Sequence, residues 1–348
     1  MYSIFSALVA NKNMKIKIRV FKKIISVAST IFLLSLFVFS WGVYFPLKPG
    51  YTENIEFLVQ KGQGDEEIAE SLEEQGIIKN NYFFKIYAII SGSDSKLQAG
   101  RYSLSPAMTV PEIIKKFVLG DVIKQKITIF EGWDARDIEK YFIDEKISNT
   151  EDFEKALNKN YNNEFDFLNE KPEDIGLEGY LFPDTYNISL GEETEDIIRL
   201  MLLNFNKKLN TGLREQIISQ NKTVFEVITM ASIIEKEVRT MDDKKIVSGI
   251  LWKRLEAGMP LQVDATINYI TDKNDPGAAI KDIKIDSPYN TYKYAGLPKG
   301  PISNPGLDSI LAAIYPDESK YWYYLSATNG KTIFSKTFAE HSAAQAKY

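Results

Sequence analysis

Cysteine is absent from the 348-residue sequence, and histidine occurs once, as His341. Without thiols the chain has no disulfide framework, no thiolate zinc site and no cysteine nucleophile. A single imidazole removes most metal-site and serine–histidine triad chemistry as well. Any catalysis must therefore run on carboxylates, hydroxyls, lysines or backbone groups, and neither a metal nor a cofactor is expected. Positive charge is scarce beyond residue 51: that stretch holds 35 basic against 47 acidic side chains, a net −12. Such an acidic body argues against nucleic acid as a partner.

What is present begins with an apolar run. Residues 1–51 carry seven basic side chains and no acid, and Ile24–Phe45 is uncharged and rich in Ile, Val, Leu and Phe. As a helix that run spans about 33 Å at roughly 1.5 Å per residue, enough to cross a bilayer. A cleaved signal peptide is the competing reading. The run, however, is longer than a signal h-region and ends in Trp41, Tyr44, Phe45 and Pro46, without a small-residue cleavage pattern. The basic residues ahead of the span place the N-terminus in the cytoplasm and the rest outside, a single-pass arrangement. Met14 is an alternative start. The expected organisation is a cytoplasmic tail over 1–23, a transmembrane helix over 24–45, a linker and small domain over 46–121, and a larger domain over 122–348. Both exported parts are expected to be α+β.

Turn and cap signals divide the small domain. Ile55–Val59 reads as a strand, Gly62–Gly64 as a turn, and Asp65 as the cap of a helix carrying Ile68, Ala69 and Leu72 and stopped at Gly76. A second helix is predicted over Asn80–Ser91, a second strand over Arg101–Leu104, and a third helix from Thr109 and Pro111 to Gly120. In the larger domain a strand is predicted over Ile127–Phe130, and Leu177–Tyr186 has the aromatic, Gly and Pro-Asp content of an ordered non-helical segment. Helices are expected over Val224–Val238 and from Asp242 to Ala257, and a long structured loop over 286–306. A hairpin turning at Asn329-Gly330 and a polar helix containing His341 close the chain.

One residue breaks the apolar periodicity. At roughly 100° per residue, Glu235 shares a helical face with Val224, Ile228 and Ala231, whereas Glu237 points to the opposite, solvent side. A carboxyl held against apolar neighbours keeps its proton toward neutrality, as a general acid must. A core glutamate satisfied by an arginine or by backbone groups fits the periodicity too. Ser232-x-x-Glu235 matches a capping box, but the apolar pattern starts well before Ser232. Ser93-Asp94-Ser95-Lys96 matches the Ser-x-x-Lys of penicillin-binding proteins by chance, since its companion motifs are missing.

Five segments in order, LEGYLFPDTY (177–186), ASIIEKE (231–237), LQVD (261–264), DSPYNTY (286–292) and GLPKGPISNPG (296–306), resemble the endolytic murein transglycosylases of the MltG (YceG-like) type. The resemblance runs from about Ile55 to His341. It implies one N-terminal anchor, a small LysM-like domain and an exported catalytic domain that acts on peptidoglycan glycan strands. It further implies cleavage of the MurNAc–GlcNAc bond without water, leaving 1,6-anhydro-MurNAc ends and terminating nascent strands. By the same resemblance Glu235 takes the place of the catalytic glutamate, and association with penicillin-binding proteins or other wall-synthesis enzymes is implied. Gln262, Asp264, Tyr289, Asn290 and Tyr292, from the matched segments, are candidates for substrate contact, and Tyr180 for stacking on a sugar. Asp264 could equally cap a helix and Asn290 brace its loop. One departure is Lys331, where the family carries His. Two rival classes stand beside this reading: a non-catalytic peptidoglycan-binding scaffold, and a hydrolytic muramidase, which needs a second carboxylate to position water.

Overall fold

The computed structural model describes residues 2–273, 279–327 and 330–347. The chain forms two compact units, Met1–Gln125 with Ser189–Gly191, and Lys126–Ile188 with Glu192–Tyr348.

The first unit opens with a long helix, α1 (Tyr2–Tyr44), whose segment Arg19–Tyr44 is long and apolar enough to cross a membrane. Its last turn belongs to the unit's core. Val43 is fully buried with Phe57, Phe84, Tyr102 and Phe117. The Lys79 ammonium donates to the carbonyls of Trp41 (3.1 Å) and Phe45 (2.9 Å) where the helix ends. Strand β1 (Ile55–Val59), helices α2 (Asp65–Glu74) and α3 (Asn81–Ile90), and strand β2 (Gly100–Leu104) follow. β1 and β2 pair antiparallel from Ile55↔Leu104 to Val59↔Gly100. Phe57 and Val59 on one strand, and Tyr102 and Leu104 on the other, point inward at the spacing of two that a one-sided sheet requires. α4 (Val110–Leu119) starts at a capping box between Thr109 and Glu112 and ends at Gly120, whose φ of 62° suits the left-handed stop. At α2 the cap differs from expectation: Gly64 occupies the N-cap and Asp65 is the first helical residue.

The second unit takes in the last three residues of β3 (Lys124–Thr128), which starts three residues earlier than the predicted strand, followed by α5 (Ala135–Asp144) and α6 (Thr150–Asn158). β4 (Thr185–Ser189) pairs with β3, and α7 (Thr194–Lys208), α8 (Thr211–Ser219), α9 (Val224–Glu237), α10 (Met241–Glu256), α11 (Asp264–Thr271) and α12 (Leu307–Ile314) follow. A hairpin of β5 (Tyr323–Ser326) and β6 (Thr332–Ser335) and a final helix, α13 (Phe338–Lys347), complete it. The predicted turn residue Asn329 lies outside the described residues. No residue of α13 is fully buried.

α9 is the axis of this unit. α8, α10, α11 and α12 all pack on it, and Val224 and every residue from Val227 to Ile234 are buried. Its N-terminus is held by a capping box between Thr223 and Glu226, so Ser232 lies mid-helix. There the Ser232 hydroxyl accepts the Ile302 N–H (3.0 Å), and the Ser303 hydroxyl donates to the Ser232 carbonyl (3.1 Å). The Pro/Gly loop is thus fastened to the helix.

Buried Asn304 completes that fastening. Its Oδ1 accepts the N–H groups of Gly179 and Leu181, both at 2.9 Å, and its Nδ2 donates to the Trp133 carbonyl (3.1 Å) and to Glu178 (3.0 Å). Gly179 is tightly constrained: its φ is +88°, and an added Cβ would meet Pro301 at 2.6 Å. Tyr180, the proposed sugar platform, is instead fully buried against Phe167 and Phe205.

Asn304→Ala should strand the Gly179 and Leu181 N–H groups without acceptors. We expect a loss of about 3 kcal/mol, or roughly 6–12 °C in Tm for a unit of this size. Thermal unfolding in detergent micelles checks this, and a Tm within about 1 °C of the parent would show the brace to be dispensable.

Candidate active site

Three consecutive polar side chains at the end of α9 leave in three directions. Lys236 donates to the Gly132 carbonyl at 3.1 Å. Glu235 turns to α10, where Lys244 Nζ lies 3.1 Å from its Oε1, the two side chains being 8% and 4% exposed. The Gly306 N–H donates to the other oxygen, Oε2, at 2.9 Å. Both oxygens of Glu235 are therefore engaged, and the residue does not line the cavity described next. The Glu235 side chain is buried as expected, but against an ammonium and a backbone N–H rather than an apolar wall, and Glu237 is half-buried at a cavity rather than on an open solvent face. The helical count assumes that one face of α9 meets solvent, but four helices pack around it, so direction on the wheel does not decide exposure at its end.

Glu237 lines a cavity of about 400 Å³ formed by the start of α11, the hairpin and α13. The carboxyl accepts hydrogen bonds from the Tyr324 hydroxyl and the Ala265 N–H. The cavity admits solvent to Glu237, which is half-buried overall, although the surrounding protein still desolvates its carboxyl group. Burial pushes its pKa up to about 7, and the Asp264 charge adds to the rise, while the bonds from Tyr324 and Ala265 oppose it. Between the ordinary carboxylate range and pH 7, the unfolded chain releases a proton that the folded chain keeps. Stability therefore falls as pH rises through this window. Glu178, pushed up to about 8 chiefly by burial, extends the same trend.

Of the residues singled out by sequence, Gln262, Asp264 and Tyr292 line this cavity together. Gln262 has a left-handed φ of 52°, uncommon for a residue with a Cβ. The Thr291 carbonyl accepts its N–H (3.1 Å), and its Oε1 accepts from Arg254 Nη2 (3.0 Å). Asp264 is the first residue of α11 and makes no side-chain cap; its Oδ1 accepts the Tyr292 hydroxyl at 2.5 Å. Burial, and then this bond to Asp264, raise the Tyr292 hydroxyl far above the usual phenol range.

Tyr289 and Asn290 do not join them. Tyr289 packs on Tyr269 at 5.1 Å. Asn290 is buried, with its Nδ2 donating to the carbonyls of Ile283 (3.0 Å) and Ile285 (2.7 Å) and its Oδ1 accepting the Tyr292 N–H (2.9 Å). It braces the loop and has nothing left for a ligand. Among the described residues, no group of three or more His, Asp or Glu side chains is placed to hold a metal ion.

Sequence reasoning missed Glu237, Arg254, Tyr324 and His341. Arg254 did carry a signal: it sits among apolar helix neighbours with no acid three or four residues away, so its partner had to be tertiary. Its Nη2 also donates to the Pro260 carbonyl (2.7 Å), and its buried Nε has no partner. His341 stacks on Tyr323 at 5.3 Å; burial, and then the Arg254 charge, hold its pKa below the ordinary histidine value.

The sequence matches the model of the YceG-like family over residues 57–347. It is 34% identical over 325 residues to an endolytic murein transglycosylase of Bacillus subtilis (strain 168), covering 90% of this chain and 89% of that protein. An endolytic murein transglycosylase of Streptococcus pneumoniae serotype 2 is 30% identical over 350 residues, covering 89% of this chain and 63% of that longer protein. The 2.6 Å crystal structure of a yceG-like protein from Listeria monocytogenes superimposes with a TM-score of 0.58 at 33% identity, covering 84% of this chain and 99% of that one.

Tyr324→Phe removes a hydrogen bond that favours the ionised form of Glu237. The carboxyl should then titrate at higher pH than in the parent, a shift readable by ¹³C NMR of labelled glutamate with Glu237→Gln identifying the resonance. A lower or unmoved titration would contradict the cavity's electrostatics as described.

Proposed function

This chain belongs to the YceG-like family, and on that premise we propose that it is an endolytic transglycosylase of peptidoglycan in which Glu237 serves as both acid and base. One observation carries the residue assignment: the glutamate of the ASIIEKE segment that lines the cavity is also the one that keeps its proton near neutrality. Glu235, with both oxygens engaged by Lys244 and Gly306, positions the end of α9.

Protonated Glu237 donates to the oxygen that joins MurNAc C1 to GlcNAc. The C1–oxygen bond breaks and the GlcNAc side leaves as an alcohol. The carboxylate then takes the proton of the MurNAc 6-hydroxyl as that oxygen bonds to C1, which closes the 1,6-anhydro ring and restores the acid. No water is consumed, because a nucleophile on the same sugar already has a high effective concentration. Asp264, oriented by Tyr292, supplies negative charge toward the developing oxocarbenium. Gln262, its oxygen committed to Arg254, offers its amide N–H groups to a sugar. The naming of the bacillary and streptococcal relatives as transglycosylases weighs against the scaffold and muramidase readings.

The same proposal makes α1 a retained single-pass anchor with the N-terminus in the cytoplasm and both units exported. The burial of Val43 supports retention over cleavage, since removing α1 would take a residue out of the first unit's core. The strand–helix–helix–strand order of β1, α2, α3 and β2 supports the LysM-like reading of that unit. Association with penicillin-binding proteins rests on the family resemblance alone.

Full-length protein is incubated with purified glycan strands and the released muropeptides are read by mass spectrometry. Glu237→Gln should lower release of 1,6-anhydro products by about 10²–10⁴-fold with the fold intact. Glu235→Gln should mainly destabilise, because Lys244 loses its buried counter-charge, while its folded fraction stays active. Equal loss in folded Glu235→Gln would return the acid role to Glu235. Reducing ends without anhydro sugars would indicate a hydrolase, and no release by the parent a scaffold.

A further inference from the structure

α3 has three distinct faces. Phe84 and Ala88 are buried in the core of the first unit. Phe83 and Tyr87 meet α1, with ring centroids 6.2 Å from Phe39 and 6.1 Å from Tyr44. The approach is close enough that a Cβ on Gly42 would lie 2.4 Å from Phe83. The third face, Tyr82, Ile86, Ile89 and Ile90, is 63%, 44%, 66% and 70% exposed. At roughly 100° per residue these four fall within a single arc of about 100°, directly beside the pair that touches α1.

That position matters because of what α1 is at this level. Phe39 lies inside the apolar segment Arg19–Tyr44, about 7.5 Å before its end at roughly 1.5 Å per residue. Around it Phe37, Val38 and Trp41 are themselves exposed. Whatever surrounds the last turns of α1 must also meet the neighbouring face of α3. Trp41 and Tyr44 on α1, with Tyr82 on α3, supply the aromatic side chains that favour the boundary between hydrocarbon and water. The unit is also lopsided in charge. The outer face of α2 exposes Glu66, Glu67, Glu70 and Glu74, which suits water and opposes an anionic lipid surface.

We infer that the Tyr82–Ile90 face of α3 is a lipid-binding surface, seated in the interfacial layer of the bilayer beside α1, so that the first unit rests on the membrane. The inference depends on α1 spanning the membrane, as proposed above. It commits to lipid over a protein partner, because the face is continuous with the exposed side of the spanning helix.

The absence of native cysteine allows single reporter sites. Full-length protein carrying an environment-sensitive fluorophore at Leu34→Cys, Glu74→Cys, Ile89→Cys or Ile90→Cys is reconstituted into phosphatidylcholine–phosphatidylglycerol vesicles. Each sample is then quenched either by aqueous iodide or by lipids spin-labelled near the headgroup. Probes at 89 and 90 should be quenched by the labelled lipid and several-fold less by iodide than the probe at 74. If the probe at 34 is in lipid but those at 89 and 90 are open to iodide, the inference falls while the anchor stands. Shielding of 89 and 90 from iodide without lipid quenching would mean that protein covers the face, which also overturns it. If the probe at 34 is itself outside lipid, the anchor fails and takes this inference with it.

Discussion

The second unit depends on a helix, α9, that four others enclose along most of its length. Burying α9 from Val227 to Ile234 leaves its ionisable side chains at its two ends, and the surrounding elements must satisfy those of the last turn. They do so by different means: an ammonium for Glu235, a backbone carbonyl for Lys236, and a phenol with a helix N–H for Glu237. Three ionisable groups within three residues thus acquire separate chemistries. A buried charge without a partner is too costly to persist, and each partner comes from a different element.

The loop from Tyr289 to Gly306 links this axis to the rest of the unit. Ile302 and Ser303 bond to Ser232 in the middle of α9, Asn304 gathers the Leu177–Tyr186 segment, and Gly306 reaches the carboxylate of Glu235. An irregular segment buried this deeply must have its backbone groups satisfied, as Asn290 does for the Tyr292 N–H and the Ser232 hydroxyl for that of Ile302. The same loop presents Tyr292 to Asp264, so the packing framework and the cavity wall are built from one stretch of chain.

Much of this is legible in the sequence alone. Elements with their own punctuation, such as α4 between Thr109 and Gly120, fall where caps and glycine stops place them, because those signals act within a few residues. The segments that carried the family resemblance are those that hold or line the site. Their individual roles were less legible. Tyr180, Tyr289 and Asn290 carry functional groups suited to sugar contact, yet packing and loop bracing consume them, and no local pattern separates a braced asparagine from a ligand-binding one. The proposed choice of Glu237 over Glu235 rests on Lys244, Gly306, Tyr324 and Ala265, all tertiary neighbours that the periodicity of one helix cannot register.

One wall of the cavity is made by α13, the helix in which no residue is fully buried, through Phe338, His341 and Gln345. An element with so little buried surface costs little to lift. A polymer cut at an interior bond has no free end to feed into a closed hole and has to be laid in from the side. The weakly anchored wall is the part of the boundary whose displacement would disturb the least packing, whereas Glu237 stands at the end of a helix buried from Val227 to Ile234.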